Sequence, residues 1–229
     1  MAGTLYIVAT PIGNLEDITL RAKDVLAKVD AILAEDTRVT GKLLAFLESE
    51  YNISSPKLIS YHHHSKSDKR LEILARLVKG ETLALVSDAG TPGISDPGNE
   101  LIDFLLEKEP DLNVVPIPGA SSVTSALSVS GFRAQRFRFL GYFPKRKKGK
   151  FIDKIASSGI TVVYFDSPYR VVKNLEALKG ALDSKRRVFV AREMTKMHET
   201  FYRGNIEDVA GKLKEKTGVR GEVVVVVEG

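Results

Sequence analysis

"TLALVSDAGTPGISDPG" runs from Thr82 to Gly98. It opens as an apolar strand, then crowds three glycines, two prolines and two aspartates into residues 87–98. A loop leaving the carboxyl end of an α/β strand is a favoured ligand seat. Glycine lets main-chain groups approach a ligand closely, and proline fixes the rest of the path. A phosphate cradle fits badly, because no Gly-Lys-Ser/Thr follows and the segment carries Asp88 and Asp96 with no cation. A ligand with a positive centre, such as a sulfonium or an amine, suits two carboxylates better. The plainer alternative is a tight turn, with Asp96 capping the next helix and Pro97 at its first position.

Outward from this loop, strand and helix patterns alternate. Val-, Ile- and Leu-rich runs predict strands over 4–10, 31–36, 57–62, 82–88 and 113–119. Helical spacing predicts helices over 18–29, 40–48 and 69–80, the last closed by Gly80. The second half predicts a small-residue helix over 121–131 and strands over 136–143 and 159–168. A helix through Leu182, a strand over 186–193, a helix over 206–216 and a strand over 220–228 follow. Such alternation indicates α/β layers. The proline-containing segment at 112–119 divides two domains, 1–117 and 118–229.

Composition narrows the function classes. The 229 residues are 43% hydrophobic, which excludes a disordered chain, and no apolar run approaches the length of a membrane span. The N-terminal "MAGTLYIVATPIGN" lacks the basic-then-apolar succession of a secretory signal. Absence of cysteine excludes disulfides, thiolate metal sites and cysteine nucleophiles. A net charge of +5 permits a nucleic-acid partner without requiring one. The first loop, "ATPIGNLED", is also acidic and has no GxGxxG, so the usual dinucleotide fingerprint is missing.

"LYIVATPIGNLEDITLRA", "AEDTRVTGKLL", "SDAGTPGISDPG", "PIPGASSVTSAL" and "VAREMTKMHE" occur in this order. Together they resemble the ribosomal RNA 2'-O-methyltransferase branch of the tetrapyrrole methylase superfamily, from Leu5 to Glu228. The resemblance implies two α/β domains with S-adenosylmethionine in the cleft between them. The N-terminal domain would form the substrate side and part of that site, and the C-terminal domain would complete it. It also implies a cytoplasmic homodimer acting on a decoding-region cytidine of 16S rRNA in the small ribosomal subunit, with no membrane partner. By position, the cofactor pocket would draw on Pro11, Asp88, Ala89, Gly90, Ile94, Ser121, Ser122, Phe165, Ala191 and Glu222. Many members of the branch carry a further helical region after the last strand. Here the sequence ends at "VVVVVEG"; if that region grips RNA, either the basic loop and the dimer compensate or RNA affinity is lower. "FRAQRFRF" also departs from the acidic "TDRF"-like form usual in the branch.

A ribose hydroxyl is a poor nucleophile, so a base or hydrogen-bond acceptor should assist as its proton leaves. "AEDTR" offers Asp36 for that role, with Arg38 to hold a phosphate. "REMTKMHE" adds Arg192 and Lys196 as further RNA contacts, and Lys196 acts as a base only if burial lowers its pKa. The alternative is that these charges form structural ion pairs. "PKRKKGK" (144–150) is the densest positive run, and Lys145, Arg146, Lys147, Lys148 and Lys150 are expected to contact RNA phosphates from a loop. "YHHHSK" has no metal-ligand spacing, and no metal is expected. Two other readings stand beside RNA methylation. One is C-methylation of a tetrapyrrole such as a cobalamin precursor; the other is a catalytically silent RNA-binding module.

Overall fold

Five short apolar runs form the first sheet: β1 (Thr4–Val8), β2 (Ala31–Ala34), β3 (Lys57–Ser60), β4 (Leu83–Val86) and β5 (Asn113–Ile117). The computed structural model describes residues 2–52, 56–62, 65, 67–96, 98–183, 185–215 and 220–229. All five strands are parallel, in the order β3-β2-β4-β1-β5. Parallel neighbours need crossover connections, and α1 (Leu20–Lys28), α2 (Thr37–Tyr51), α3 (Ser67–Val78) and α4 (Asn99–Lys108) provide them. Thr19 caps α1 through Ala22 N–H at 3.1 Å, and Asp36 caps α2 through Arg38 N–H at 2.9 Å.

Strand alternation decides what each face buries. Ile32, Ala34, Ala84 and Val86 point to one side, against Leu26 of α1 and Leu43, Leu44 and Leu47 of α2. Leu33, Leu83 and Leu85 point to the other, against Ile73 and Leu77 of α3 and Leu101 and Leu105 of α4. Strands β2 and β4 are therefore buried on both faces, which is why "AILA" and "LALV" carry no polar residue. The chain leaving β1 crosses on one face towards β2, whereas the chain leaving β4 crosses on the opposite face towards β5. Because β1 and β4 are neighbours, the carboxyl edge between them is the reversal point where open α/β sheets form a crevice.

The chain divides into two compact units, Met1–Ser121 and Ser122–Gly229. This junction lies beyond the 117/118 boundary read from the sequence, because the segment after β5 stays with the first unit. There Thr91 Oγ1 donates to the Ala120 carbonyl at 3.2 Å.

The second unit contains α5 (Ser122–Ser130), β6 (Phe137–Tyr142), α6 (Gly149–Ala156), β7 (Thr161–Asp166), α7 (Val171–Lys179), β8 (Arg187–Arg192), β9 (Thr200–Asn205), α8 (Ile206–Glu215) and β10 (Val223–Val227). Its sheet order is β6-β7-β10-β8-β9, parallel only between β6 and β7. Tyr164, Val190 and Val225 pack with Ile155, Leu175 and Val209 of α6, α7 and α8 on one face. Helix α5 packs on β10 and β7. All five valines of β10 are buried.

Two expectations change and one strand is added. Helix α4 starts at Asn99 with Gly98 at its N-cap and no side-chain cap, so Asp96 does not cap it; Pro97 lies outside the described residues. The loop runs longer because the Asn99 amide reaches back to the Gly93 carbonyl at 2.9 Å. "PKRKKGK" is not wholly a loop, since Lys148 is the N-cap of α6. "TFYRGN" is a strand, pairing with β8 along its whole length. Among the described residues, no helix is long and apolar enough to cross a membrane.

Leu85→Ala empties a fully buried position on the central strand β4. It should destabilise the protein by about 2–5 kcal/mol. Leu71→Ala, at a 53% exposed position, should stay within about 0.5 kcal/mol of the native protein. Urea unfolding of the two variants checks the contrast.

Candidate active site

The carboxyl edge of the first sheet is fastened by main-chain bonds. Thr10 and Gly90 exchange both N–H···O bonds, at 2.9 and 3.0 Å, joining the loop after β1 to the loop after β4. Thr10 Oγ1 donates to the Ser87 carbonyl at 3.2 Å, and Ala9 N–H donates to the Ile117 carbonyl at 3.1 Å. Gly90 has φ +85°, and a Cβ there would stand 3.3 Å from Ile12 Cγ2. Glycine makes this bridge without strain. Pro11, Asp88, Ala89 and Gly90 thus come together in two linked loops. Ile94 lies farther along the second and is 45% exposed. Ser121 follows Ala120, which Thr91 holds to the same loop; Ser122 begins α5 in the second unit.

The loop after β2 joins the same edge. Asp36 N–H donates to Asp88 Oδ1 at 3.0 Å. The Asp36 carboxylate takes Arg38 Nε at 3.0 Å and Arg38 Nη2 at 2.6 Å. Those side-chain bonds, with the Arg38 N–H, hold the Asp36 pKa down at about 2. Such a carboxylate accepts hydrogen bonds but is a weak proton acceptor at neutral pH. Burial raises the Asp88 pKa, against the lowering effect of the Asp36 N–H. The edge therefore offers two carboxylates and main-chain polar groups, while Arg38 is already committed to Asp36. That donor set fits a positive, phosphate-free ligand.

In the second unit, Phe165 and Ala191 are both register partners of Val224, so the three lie in one row across β7, β10 and β8. Phe165 meets Phe139 and Tyr142 edge-on, with ring centroids 5.0 and 5.2 Å away. Glu222 is tied to Glu193, a residue that sequence reasoning did not select. Glu222 N–H donates to Glu193 Oε1 at 2.8 Å, and Glu193 N–H donates to the Glu222 carbonyl at 2.9 Å. The available signal was Gly221, at φ +89°, where a Cβ would run into the Glu193 carboxylate.

Lys196 Nζ lies 3.1 Å from Glu193 Oε1 and 3.2 Å from Glu222 Oε2. Burial alone would lower its pKa, but the two carboxylates outweigh it and raise the pKa above the ordinary lysine value. The condition for a basic amine is not met, and Lys196 stays an ammonium. Arg192 is also engaged: Nε donates to the Arg220 carbonyl at 2.7 Å and Nη1 to the His198 carbonyl at 3.3 Å. It braces the turn between β8 and β9.

Within the basic run, Lys145, Arg146, Lys147 and Lys150 are exposed. Lys148 points inward, its Nζ donating to Asn174 Oδ1 at 2.7 Å; Asn174 Nδ2 in turn donates to both oxygens of buried Asp166 at 2.9 Å. Lys148 is therefore a structural contact. Of "YHHHSK", His63 and His64 lie outside the described residues. Among the described residues, no three His, Asp or Glu side chains gather as a metal set.

The tetrapyrrole (corrin/porphyrin) methylases match residues 4–210. A Synechocystis sp. protein named ribosomal RNA small subunit methyltransferase I is 43% identical over 99% of this chain and 79% of its own length. The Thermotoga maritima protein of the same name is 41% identical over 99% of both chains. Among solved structures, uroporphyrin-III C-methyl transferase from Thermus thermophilus, complexed with S-adenyl homocysteine, has a TM-score of 0.67 at 19% identity. It covers 99% of this chain and 97% of that one, and the likeness is one of fold.

Asp36 should titrate near pH 2, below its ordinary 3.8. A depressed carboxyl pKa means that the pair with Arg38 contributes fully above the ordinary value and is lost as pH falls through about 2. Arg38→Gln should move the midpoint up towards 3.8, as read by carboxyl-carbon NMR. An unmoved midpoint would show that Arg38 does not set it.

Proposed function

The chain belongs to the tetrapyrrole methylase family, and on that premise we propose that it methylates small-subunit ribosomal RNA using S-adenosylmethionine. The target we assign is the ribose 2'-hydroxyl of a decoding-region cytidine in 16S rRNA. The observation carrying the activity is the 41–43% identity, over 99% of this chain, to relatives named for small-subunit rRNA methylation. The acidic edge at the reversal of the first sheet supports a sulfonium donor in particular.

When bound, S-adenosylmethionine supplies an electrophilic methyl group whose departure leaves a neutral thioether. In the first unit, Pro11, Asp88, Ala89, Gly90 and Ile94 hold that donor. The Thr10–Gly90 bridge fixes the loops before it arrives, so that little ordering remains to be done on binding. Asp36 accepts a hydrogen bond from the ribose hydroxyl and orients it, because a carboxylate with so low a pKa holds a proton poorly. Arg38, 87% exposed beyond its pair with Asp36, lies where an adjoining phosphate is neutralised. Exposed Lys145, Arg146, Lys147 and Lys150 supply further phosphate contacts.

Incubation with methyl-labelled donor and unmethylated small ribosomal subunits should place the label on a cytidine ribose. Label on a base, or none, overturns the assignment. Gly90→Val should weaken donor binding by more than roughly a hundredfold by calorimetry, since it breaks the loop pairing at a left-handed position. Asp36→Asn should slow single-turnover transfer by roughly tenfold or more with donor affinity unchanged. An unaltered rate removes Asp36 from the chemistry.

A further inference from the structure

A cavity lies in the C-terminal unit, at the end of its sheet away from Phe165, Ala191 and Glu222. It has a volume of about 730 Å³. The starts of β7 and β8, the residues preceding β6 and the residues following β10 form it. Its charged wall residues are Arg133, Arg136, Arg187 and Glu228. Glu228 is spent on Arg187, whose guanidinium also lies over the Phe132 ring at 5.2 Å. Among the described residues, neither Arg133 nor Arg136 has a carboxylate within ion-pair distance, and both are exposed.

This wall is built rather than incidental. Buried Thr161 donates its hydroxyl to the Arg133 carbonyl at 2.6 Å, which fixes that residue over the start of β7. Arg186 locks the corner by donating to the carbonyls of Glu228, Ala156 and Ser158 at 2.5, 2.9 and 2.6 Å. Two unpaired forks on such a mounting suit the paired oxygens of a phosphate.

The cavity also continues into a longer basic line. Strand β6 is an edge strand, and Arg138 is exposed on it. Arg133 and Arg136 precede the strand, and Lys145, Arg146 and Lys147 follow it. Its six residues span roughly 17 Å, and exposed Phe137 and Tyr142 stand at its two ends. Cations along a line with aromatic rings between them match the spacing of phosphates and bases in an RNA strand. A single small anion would need only the cavity.

Resting on the reading of RNA as substrate, we propose that the Arg133–Arg136 cavity is a second RNA-binding site. It holds a phosphodiester of the small-subunit RNA, and the β6 edge carries the strand onward from it. This assigns a positive task to "FRAQR" (132–136).

The test is binding of native protein and Arg133→Ala/Arg136→Ala to unmethylated small ribosomal subunits across a salt series. The variant should bind roughly ten- to a hundredfold more weakly and lose about 0.7–0.9 from the log–log salt slope, with S-adenosylmethionine affinity intact. Arg133→Lys/Arg136→Lys, which keeps charge but loses the forks, should retain the native slope with intermediate affinity. Lys212→Ala/Lys214→Ala removes the same charge from α8 and should bind as the native protein does. Native affinity and slope in the alanine variant, or an equal loss in the α8 variant, overturns the cavity assignment alone. If the native protein binds no subunits, the RNA reading itself fails, and this site with it.

Discussion

Two hydrogen bonds between Thr10 and Gly90 hold the loops on which the rest of the first unit depends. Strands β1 and β4 lie side by side, yet the chain leaves them towards opposite faces of the sheet. Without a cross-link, two such loops would splay apart and leave a gap of mobile backbone. The bridge turns that gap into a rim of fixed main-chain groups, and Asp36 extends it by donating its N–H to Asp88. Both bonds join residues that are far apart in sequence, so folding and site assembly are one event here.

Charge is distributed by local pairing rather than by formal count. Arg38 and Asp36 are neighbours in sequence and neutralise each other across one turn. Lys196 is enclosed by two glutamates, and Arg192 is absorbed by carbonyl groups. Lys196 and Arg192 were plausible free catalytic or RNA-facing charges, and both have structural work. The densest run of exposed cations lies on and around the β6 edge, where Arg133, Arg136, Arg138, Lys145, Arg146 and Lys147 are all exposed. The resulting division is physical: an acidic rim in one unit, and a basic edge in the other.

Much of this was legible in the residues, for reasons that can be named. "AILA", "LALV" and "VVVVV" announce strands buried on both faces, because such strands admit no polar alternation. The glycine-rich loop announces a ligand seat through chemistry that an ordinary turn does not need. Helix α6 was hidden because a basic run masks its start, and Lys148 turns inward only to reach Asn174, a partner 26 residues away. Strand β9 was hidden because "TFYRGN" carries an arginine and a glycine that weaken its pattern; pairing with β8 makes it a strand. The failure at Asp96 has a similar origin. Asp and Pro gave a fair local signal for a helix start, but Asn99 tethers Gly93 and delays α4 to residue 99. Hydrogen bonds beyond the local segment outweighed local preference for α6 and β9, and a side-chain bond across the loop did so for α4.

Strand β10 is the last strand of its sheet to be made, yet it occupies the middle, between β7 and β8. As the polypeptide emerges during translation, the β6–β7 and β8–β9 pairs therefore wait as half-sheets with one vacant flank each. Their apolar faces stay open to misplaced partners until the five valines arrive and close the slot in a single step. A sheet arranged in this way is vulnerable before its central strand arrives rather than after, and its biogenesis favours swift elongation through β10 or a chaperone holding the slot until it is filled.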